Sequence, residues 1–396
     1  MSPANRGLVG LGVGLAAAGV ATAAGVAARQ VRGERQARLS VLSPHGTYTH
    51  TADREMQILA DDGVSLHVEV DDGNPAAASA DKPTVVFSHG YTLSLRSWVL
   101  QRRALVEAGY RVVLWDQRSH GRSALAPAES CTIDQLGRDL HRVVQETVPD
   151  GPLVLIGHSM GGMTVMSMAE QFPEVVRERV VAAAFVATSA GGENMLTLGF
   201  GQFVGRVLGR LGPRLLSRLG TRQTLVDTAR RVGREVEDLI VERYSFASPV
   251  SPETVRYTAD MIMGTPLQVM ADFLPSIDVH DKRKALAQFH GIETLVLNGA
   301  QDLLTPPAHS EAIVRLVPGA EHVVVEEAGH IVMLEHPEVL DEQFLSLIER
   351  GMRAAEAGVP VEGKPRVRRT LTDLAKKRRV ADARRTPAQR RRSRRA

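Results

Sequence analysis

The run Leu153-Val-Leu-Ile-Gly157-His158-Ser159-Met160-Gly161-Gly162 constrains the fold more than any other segment of this chain. Leu153–Gly157 carries no charge and reads as a buried strand. It passes directly into Gly-x-Ser-x-Gly, and a helical stretch follows. A serine at such a junction sits on a tight strand-to-helix turn, with its hydroxyl projecting above the end of a sheet. Glycines two residues to either side leave room for that turn. A bare Gly-x-Ser-x-Gly means little in a chain with 35 glycines. The strand before it and the helix after it are what give this one weight.

A strand that is apolar along its whole length needs neighbours on both sides and cover on both faces. Similar runs recur at Thr84–Ser88, Arg111–Trp115, Val180–Ala187, Thr294–Asn298 and His322–Glu326, separated by helical stretches. That alternation predicts a parallel sheet with helices on both faces. Ahead of it, Glu55–Ala60 and Val64–Val70 flank Asp61-Asp62-Gly63 and read as a β-hairpin. From about Gly191 to Phe289 such strands are missing and helical patterns take over, which predicts a cap over one end of the sheet. The expected organisation is therefore an apolar helix with a basic flank (1–38), a first part of the core (39–190), a helical cap (191–289), a second part of the core (290–355) and a basic disordered tail (356–396).

A serine hydroxyl is a poor nucleophile until a base takes its proton. Glu326-Glu327-Ala328-Gly329-His330 places a histidine in the loop after the last expected parallel strand. Asn298-Gly299-Ala300-Gln301-Asp302 places a carboxylate after the strand before it. Both loops leave the edge of the sheet that carries Ser159. The order Ser…Asp…His is one that such an architecture uses. Ser159, Asp302 and His330 are thus the candidate catalytic residues. Asp302 also admits a plainer reading, as the anchor of an Asx-stabilised turn, with the acid then sought after Val180–Ala187. Acyl transfer builds negative charge on the carbonyl oxygen, and preorganised N–H donors must meet it. The N–H of Tyr91, after the His89-Gly90 turn, and that of Met160 are the candidate oxyanion-hole donors. His89 is expected to hold its loop rather than to carry a proton. The 13 histidines do not cluster with the one cysteine, so no zinc-ligand spacing appears and no metal or cofactor is implied. Cys131 alone excludes a disulfide within the chain.

Over roughly residues 55–350 the sequence resembles the α/β-hydrolase superfamily, in its esterase/lipase-like branch. The resemblance rests on His89-Gly90, on Asp116-Gln-Arg-Ser-His-Gly-Arg-Ser123, on Gly157–Gly162, on the Asp302 segment and on Ala328-Gly-His330. It implies the α/β-hydrolase fold, with a mostly parallel eight-stranded sheet, helices on both faces and a variable helical cap insertion that sets substrate choice. It also implies that Asp116–Ser123 is a structural loop, so Asp116 is not taken as the acid. Members with Asp at the nucleophile are epoxide hydrolases or haloalkane dehalogenases, and Ser159 argues against both. The expectation is a serine esterase or lipase with a Ser-Asp-His triad, acting through an acyl-enzyme on a small-molecule ester or lipid with an apolar acyl chain. The alternatives are an acyltransferase, a perhydrolase, a carbon–carbon bond hydrolase, or a non-catalytic ligand-binding module of the same fold. The last has no need of the three candidate residues.

The net charge of +3 hides a partition. Residues 364–396 hold 15 Lys/Arg against Asp373 and Asp382, and residues 1–38 hold five Arg against Glu34, which leaves 39–363 at −14. Leu8–Ala28 is a 21-residue run without charge, long enough as a helix to span about 30 Å of hydrocarbon. Four arginines come after it, at 29, 32, 35 and 38, against Arg6 and the amino terminus before it. That asymmetry predicts a membrane anchor with the catalytic domain on the cytoplasmic side. The competing reading is secretion, with Leu8–Ala28 a cleaved signal peptide processed near Ala21-Thr22-Ala23. In the cap, arginines at 206, 210, 214, 218 and 222 lie opposite Phe203, Val207, Leu208 and Leu211. They describe a basic amphipathic helix that either packs on the core or touches lipid as a lid. The tail suits a solvated segment or attraction to an anionic membrane surface. No aromatic residues interleave there to stack on bases, so nucleic acid is not expected as a partner.

Overall fold

Ser65–Asp71 alternates in chemistry, with Leu66, Val68 and Val70 set between His67, Glu69 and Asp71, so one face of the strand is apolar. Thr84–Ser88 and Leu153–His158 are buried at every position. These patterns give a computed structural model whose described residues are 48–77, 79, 81–192, 237–358 and 367–384. The strands are β1 (Arg54–Leu59), β2 (Ser65–Asp71), β3 (Thr84–Ser88), β4 (Val112–Trp115), β5 (Leu153–His158), β6 (Val180–Val186), β7 (Glu293–Gly299), β8 (Glu321–Val325) and β9 (Val367–Leu371). They form one sheet in the order β1-β2-β4-β3-β5-β6-β7-β8-β9. The β1–β2 and β2–β4 pairs are antiparallel and all the others are parallel.

The helices are α1 (Val99–Glu107), α2 (Ile133–Thr147), α3 (Met160–Gln171), α4 (Pro173–Arg179), α5 (237–245), α6 (Pro252–Gly264), α7 (Leu267–Asp278), α8 (Pro307–Leu316), α9 (Val332–Glu335), α10 (Pro337–Ala357) and α11 (Leu374–Arg384). Local chemistry sets their ends. The Thr132 side chain caps α2 by accepting from Gln135 N–H at 3.1 Å. Pro337 opens α10, and Gly358 closes it at φ +60°. Neighbouring residues of β3 feed opposite faces of the sheet. Val86 joins a core with Leu155, Met166, Phe185 and Phe289. Phe87 meets Trp98 at 4.9 Å and Phe344 of α10 at 6.2 Å between ring centroids. Helices therefore cover both faces, as a continuous apolar strand requires.

Because β4 lies on one side of β3 and β5 on the other, the connections after β3 and β5 leave in opposite directions. A crevice opens at such a switch point, beyond the carboxyl ends of the strands. His89 and Ser159 both stand there.

The sheet has nine strands rather than the expected eight, and residues 367–384 are a strand and a helix rather than disordered tail. β9 adds in parallel to β8, with Glu321–Val325 opposite Val367–Leu371. An edge strand is held by backbone hydrogen bonds and tolerates charged side chains, which also discourage pairing with other chains. Here Arg369 meets Glu321 and donates to Gln343 at 2.6 Å, and Arg368 lies 3.4 Å from Glu311. The run Leu8–Ala28, its basic flank, the arginine-bearing stretch 200–222 and residues 385–396 all lie outside the described residues. Among the described residues no helix is long and apolar enough to cross a membrane. The chain divides into two compact units. Gly46–Ser248 with Thr254–Leu374 holds the sheet and the candidate site; of the other, the described residues are 249–253 and 375–384.

Candidate active site

Ser159 follows β5 and precedes α3 at φ +50° and ψ −119°. Such a backbone costs a non-glycine residue of order 1–3 kcal/mol. Its surroundings fix it: Ser159 N–H donates to Val186 O at 3.0 Å, and Ser159 O accepts from Gly162 N–H at 2.9 Å and from Thr188 Oγ1 at 2.6 Å. The glycines are steric requirements. A Cβ on Gly157 would stand 2.4 Å from Gly161 O, and one on Gly161 would stand 2.2 Å from Ser88 O. The N–H groups of Met160 and Gly161, at the start of α3, have no intrahelical partner.

Asp302 and His330 come together. His330 Nδ1 lies 2.9 Å from Asp302 Oδ2, and both residues are buried. The carboxylate accepts, so Nδ1 carries the proton and Nε2 is the nitrogen with a free lone pair. Asp302 does a second thing with its other oxygen: Oδ1 accepts from Leu304 N–H at 2.8 Å and Thr305 N–H at 2.9 Å. One oxygen of Asp302 thus closes a turn, and the other holds the His330 ring. Ser159 makes no side-chain hydrogen bond among the described residues. Its link to the histidine runs through the adjacent residue, because His158 Nε2 lies 3.0 Å from His330 O.

Gly90 brings the turn before Tyr91 against this pair. A Cβ there would stand 2.6 Å from His158 Nδ1 and 3.2 Å from Ser159 Cβ. The Tyr91 hydroxyl donates to Met270 O of α7 at 2.5 Å, tying the turn to the cap. His89 holds the same turn. Its Nε2 accepts from Gln117 N–H at 2.9 Å, so Nδ1 donates to Gly90 O at 2.8 Å. Burial and the nearby His120 depress its pKa to about 3, and it stays neutral. Gln117 donates in turn to His89 O at 2.6 Å and accepts from Thr164 Oγ1 at 2.6 Å. Asp116 is equally committed to structure: its oxygens accept from Leu95 N–H at 2.7 Å and Arg122 N–H at 2.8 Å. Burial pushes its pKa up to about 6. Arg118, fully buried, forms a two-bond pair with Asp139, each bond 2.7 Å.

Three participants escaped sequence reasoning. Thr305 Oγ1 donates to Asp302 Oδ2 at 2.9 Å and lies 3.3 Å from His330 Nδ1. Its signal was local, a threonine three residues after an aspartate in a loop. Glu335 accepts from Gly329 N–H at 2.6 Å, Ala247 N–H at 2.9 Å and Ser248 Oγ at 2.7 Å, fastening the His330 loop to the turn after α5. A lone carboxylate ending Ile331-Val-Met-Leu-Glu335 was its signal, since a buried charge demands partners. His158 occupies the variable position of Gly-x-Ser-x-Gly, which carries no signal of its own.

Among the described residues no group of His, Cys, Asp and Glu side chains is arranged to hold a metal. A cavity of about 520 Å³ lies beside the hairpin, between Tyr48, Glu69, Arg102, Arg122, Tyr257 and Met261, and its lining includes neither Ser159 nor His330.

Comparison with known proteins agrees with this fold. Residues 83–337, well over half of the chain, match the family model for the alpha/beta hydrolase fold. The chain is 26% identical over 260 residues to the sn-1-specific diacylglycerol lipase ABHD11 of Mus musculus, covering 65% of this chain and 78% of that protein. It is 27% identical over 269 residues to the dihydrolipoyllysine-residue acetyltransferase component of the acetoin cleaving system of Pseudomonas putida, covering 67% of this chain but only 63% of that protein. A thermophilic esterase from Thermogutta terrifontis superposes with a TM-score of 0.57 at 23% identity, over 76% of this chain and 99% of that one, a likeness of fold. Sheet order, switch-point serine and family match lead to one conclusion: this chain belongs to the α/β-hydrolase family.

Proposed function

We propose that this protein is a serine hydrolase that cleaves carboxylic esters with apolar acyl chains through an acyl-enzyme. The observation that carries the reading is the buried 2.9 Å bond from His330 Nδ1 to Asp302, which turns Nε2 into the basic nitrogen. In the proposed mechanism Ser159 Oγ attacks the ester carbonyl carbon as Nε2 takes its proton. The N–H groups of Met160 and Tyr91 meet the oxyanion. His330 then gives the proton to the leaving alcohol, and water attacks the acyl-enzyme by the same route. The bond from Ser159 Oγ to Nε2 is expected to form around bound substrate, where such contacts tighten. The apolar preference draws support from Phe246, Met270 and Phe273, buried in the 237–278 region, and from the lipase among the relatives. We also propose that Leu8–Ala28 anchors the protein in a membrane with the catalytic domain on the cytoplasmic side.

The test is activity on p-nitrophenyl esters and monoacylglycerols of graded chain length, with fluorophosphonate labelling. Ser159→Ala should abolish labelling and cut turnover by about 10³-fold or more, with the melting temperature nearly unchanged. Unchanged turnover in that variant would sink the assignment.

A further inference from the structure

His158 is buried where three parts of the site meet. Its own backbone ends β5 beside Ser159. Its ring stands 4.8 Å from the His330 ring and 6.2 Å from that of Trp98, measured between centroids. Its Nδ1 faces Gly90 so closely that a Cβ there would stand 2.6 Å away. Its Nε2 lies 3.0 Å from the carbonyl oxygen of His330. A carbonyl only accepts, so Nε2 carries the proton and the ring is a donor toward the base. Nδ1 is left buried, with no hydrogen-bond partner among the described residues. An orphaned acceptor in a native core calls for a reason. A small apolar side chain at 158 would fill the space without it, but would leave His330 O without its donor.

We infer that His158 is a positioning residue, which registers the histidine base on the nucleophile by holding the His330 backbone carbonyl from the residue next to Ser159. The inference rests on the serine hydrolase reading. Asp302 fixes the tautomer of His330 and one direction of its ring. The bond from His158 fixes where the backbone of that residue stands relative to the Ser159 turn. The Gly90 wall prevents the donor from tipping away. One side chain thereby sets nucleophile, oxyanion turn and base against one another.

Two amides separate this role from simple filling. The amide nitrogen of Gln lies as many bonds from Cβ as Nε2 does, and it can donate to His330 O. The amide nitrogen of Asn ends where Nδ1 ends and cannot reach. The experiment measures kcat and KM on a soluble p-nitrophenyl ester, the fluorophosphonate labelling rate and the melting temperature for the wild type, His158→Gln, His158→Asn and His158→Leu. Gln should retain kcat within about fivefold, while Asn and Leu should lose about 10²-fold in kcat and labelling rate with KM nearly unchanged, as a misplaced reacting group does. If the folded Gln, Asn and Leu variants share one kcat, whether wild-type or reduced, the inference is overturned. A wild type that takes no label and cleaves no ester overturns the hydrolase reading, and this inference with it.

Discussion

Asp302 admits two readings from sequence, and in the structure each of its two oxygens has its own partners. Its Oδ1 closes the turn through Leu304 and Thr305, and its Oδ2 holds His330. A sequence shows that an aspartate follows a strand; it does not show which lone pairs face which neighbour. Asp302→Asn keeps an oxygen for the turn but offers an amide to Nδ1, so His330 must carry its proton on Nε2. Turnover should fall by up to about 10⁴-fold with the fold intact, and a rate near wild type would place the acid elsewhere. Asp341 of α10 is a residue that sequence left silent. Its Oδ1 is buried without a hydrogen-bond partner, and burial pushes its pKa from 3.8 to about 7, with Glu338 adding to the rise and Gln101 opposing it. Below pH 3.8 the group is neutral folded and unfolded, and contributes nothing. As pH rises toward 7 the unfolded chain releases this proton and the folded one keeps it, so stability falls across that window and stays reduced above it. The ceiling is about 4 kcal/mol, and the partial exposure of Asp341 lets solvent lower it. Asp341→Asn should therefore raise the melting temperature at pH 8 by several degrees and leave it nearly unchanged near pH 4. An equal gain at both pH values would mean that ionisation is not the cause.

At the scale of elements, legibility followed the strength of burial. β3 to β8 lie inside the sheet, are buried at nearly every position, and announce themselves by their apolar runs and length. The β5–α3 turn is the most legible of all, because the strand, the helix and two sterically required glycines coincide there. β9 was invisible for the opposite reason. Val-Arg-Arg-Thr-Leu is held by its backbone along β8, and its side chains are exposed or half-buried. Nothing in a basic, Pro- and Gly-flanked stretch distinguishes such a strand from solvated tail. The strand nevertheless reaches the candidate site. Glu326 N–H donates to Leu371 O at 2.8 Å, and His336 Nδ1 lies 3.0 Å from Asp373 Oδ2, on either side of the loop that carries His330. Ending the chain after Gly358 exposes the edge of β8 and removes those ties. At about 0.5–1.5 kcal/mol net for each hydrogen bond lost, the melting temperature should drop by more than about 5 °C. Differential scanning calorimetry checks this, and an unchanged transition would show that β9 adds nothing to the fold.

At the scale of the molecule, charge is the property that the fold redistributes in meaning. The basic excess read at the carboxyl end is partly matched along the edge of the sheet, where Arg368 and Arg369 answer Glu311 and Glu321. The densest part of that excess is residues 385–396, with six arginines and no acid. Near an anionic bilayer each contributes roughly 1 kcal/mol, and salt screens that attraction. The proposed anchor Leu8–Ala28 is different in kind, because an inserted apolar helix does not respond to salt. The two therefore separate by experiment on the full chain and two deletions. Removing 1–38 should release the protein from the membrane fraction at about 1 M salt, where screening acts within about 3 Å, while at low salt part of it should still bind anionic vesicles. Removing 385–396 instead should leave attachment intact at any salt, and the chain lacking both should bind anionic vesicles more weakly at low salt than the chain lacking 1–38 alone. If the basic flank at Arg29, Arg32, Arg35 and Arg38 holds the catalytic domain and the tail on the cytoplasmic side as proposed, protease added to intact cells should not reach the tail. A mature amino terminus between Ala23 and Arg29 in the secreted fraction, or tail cleavage from outside, would replace the anchor with a signal peptide.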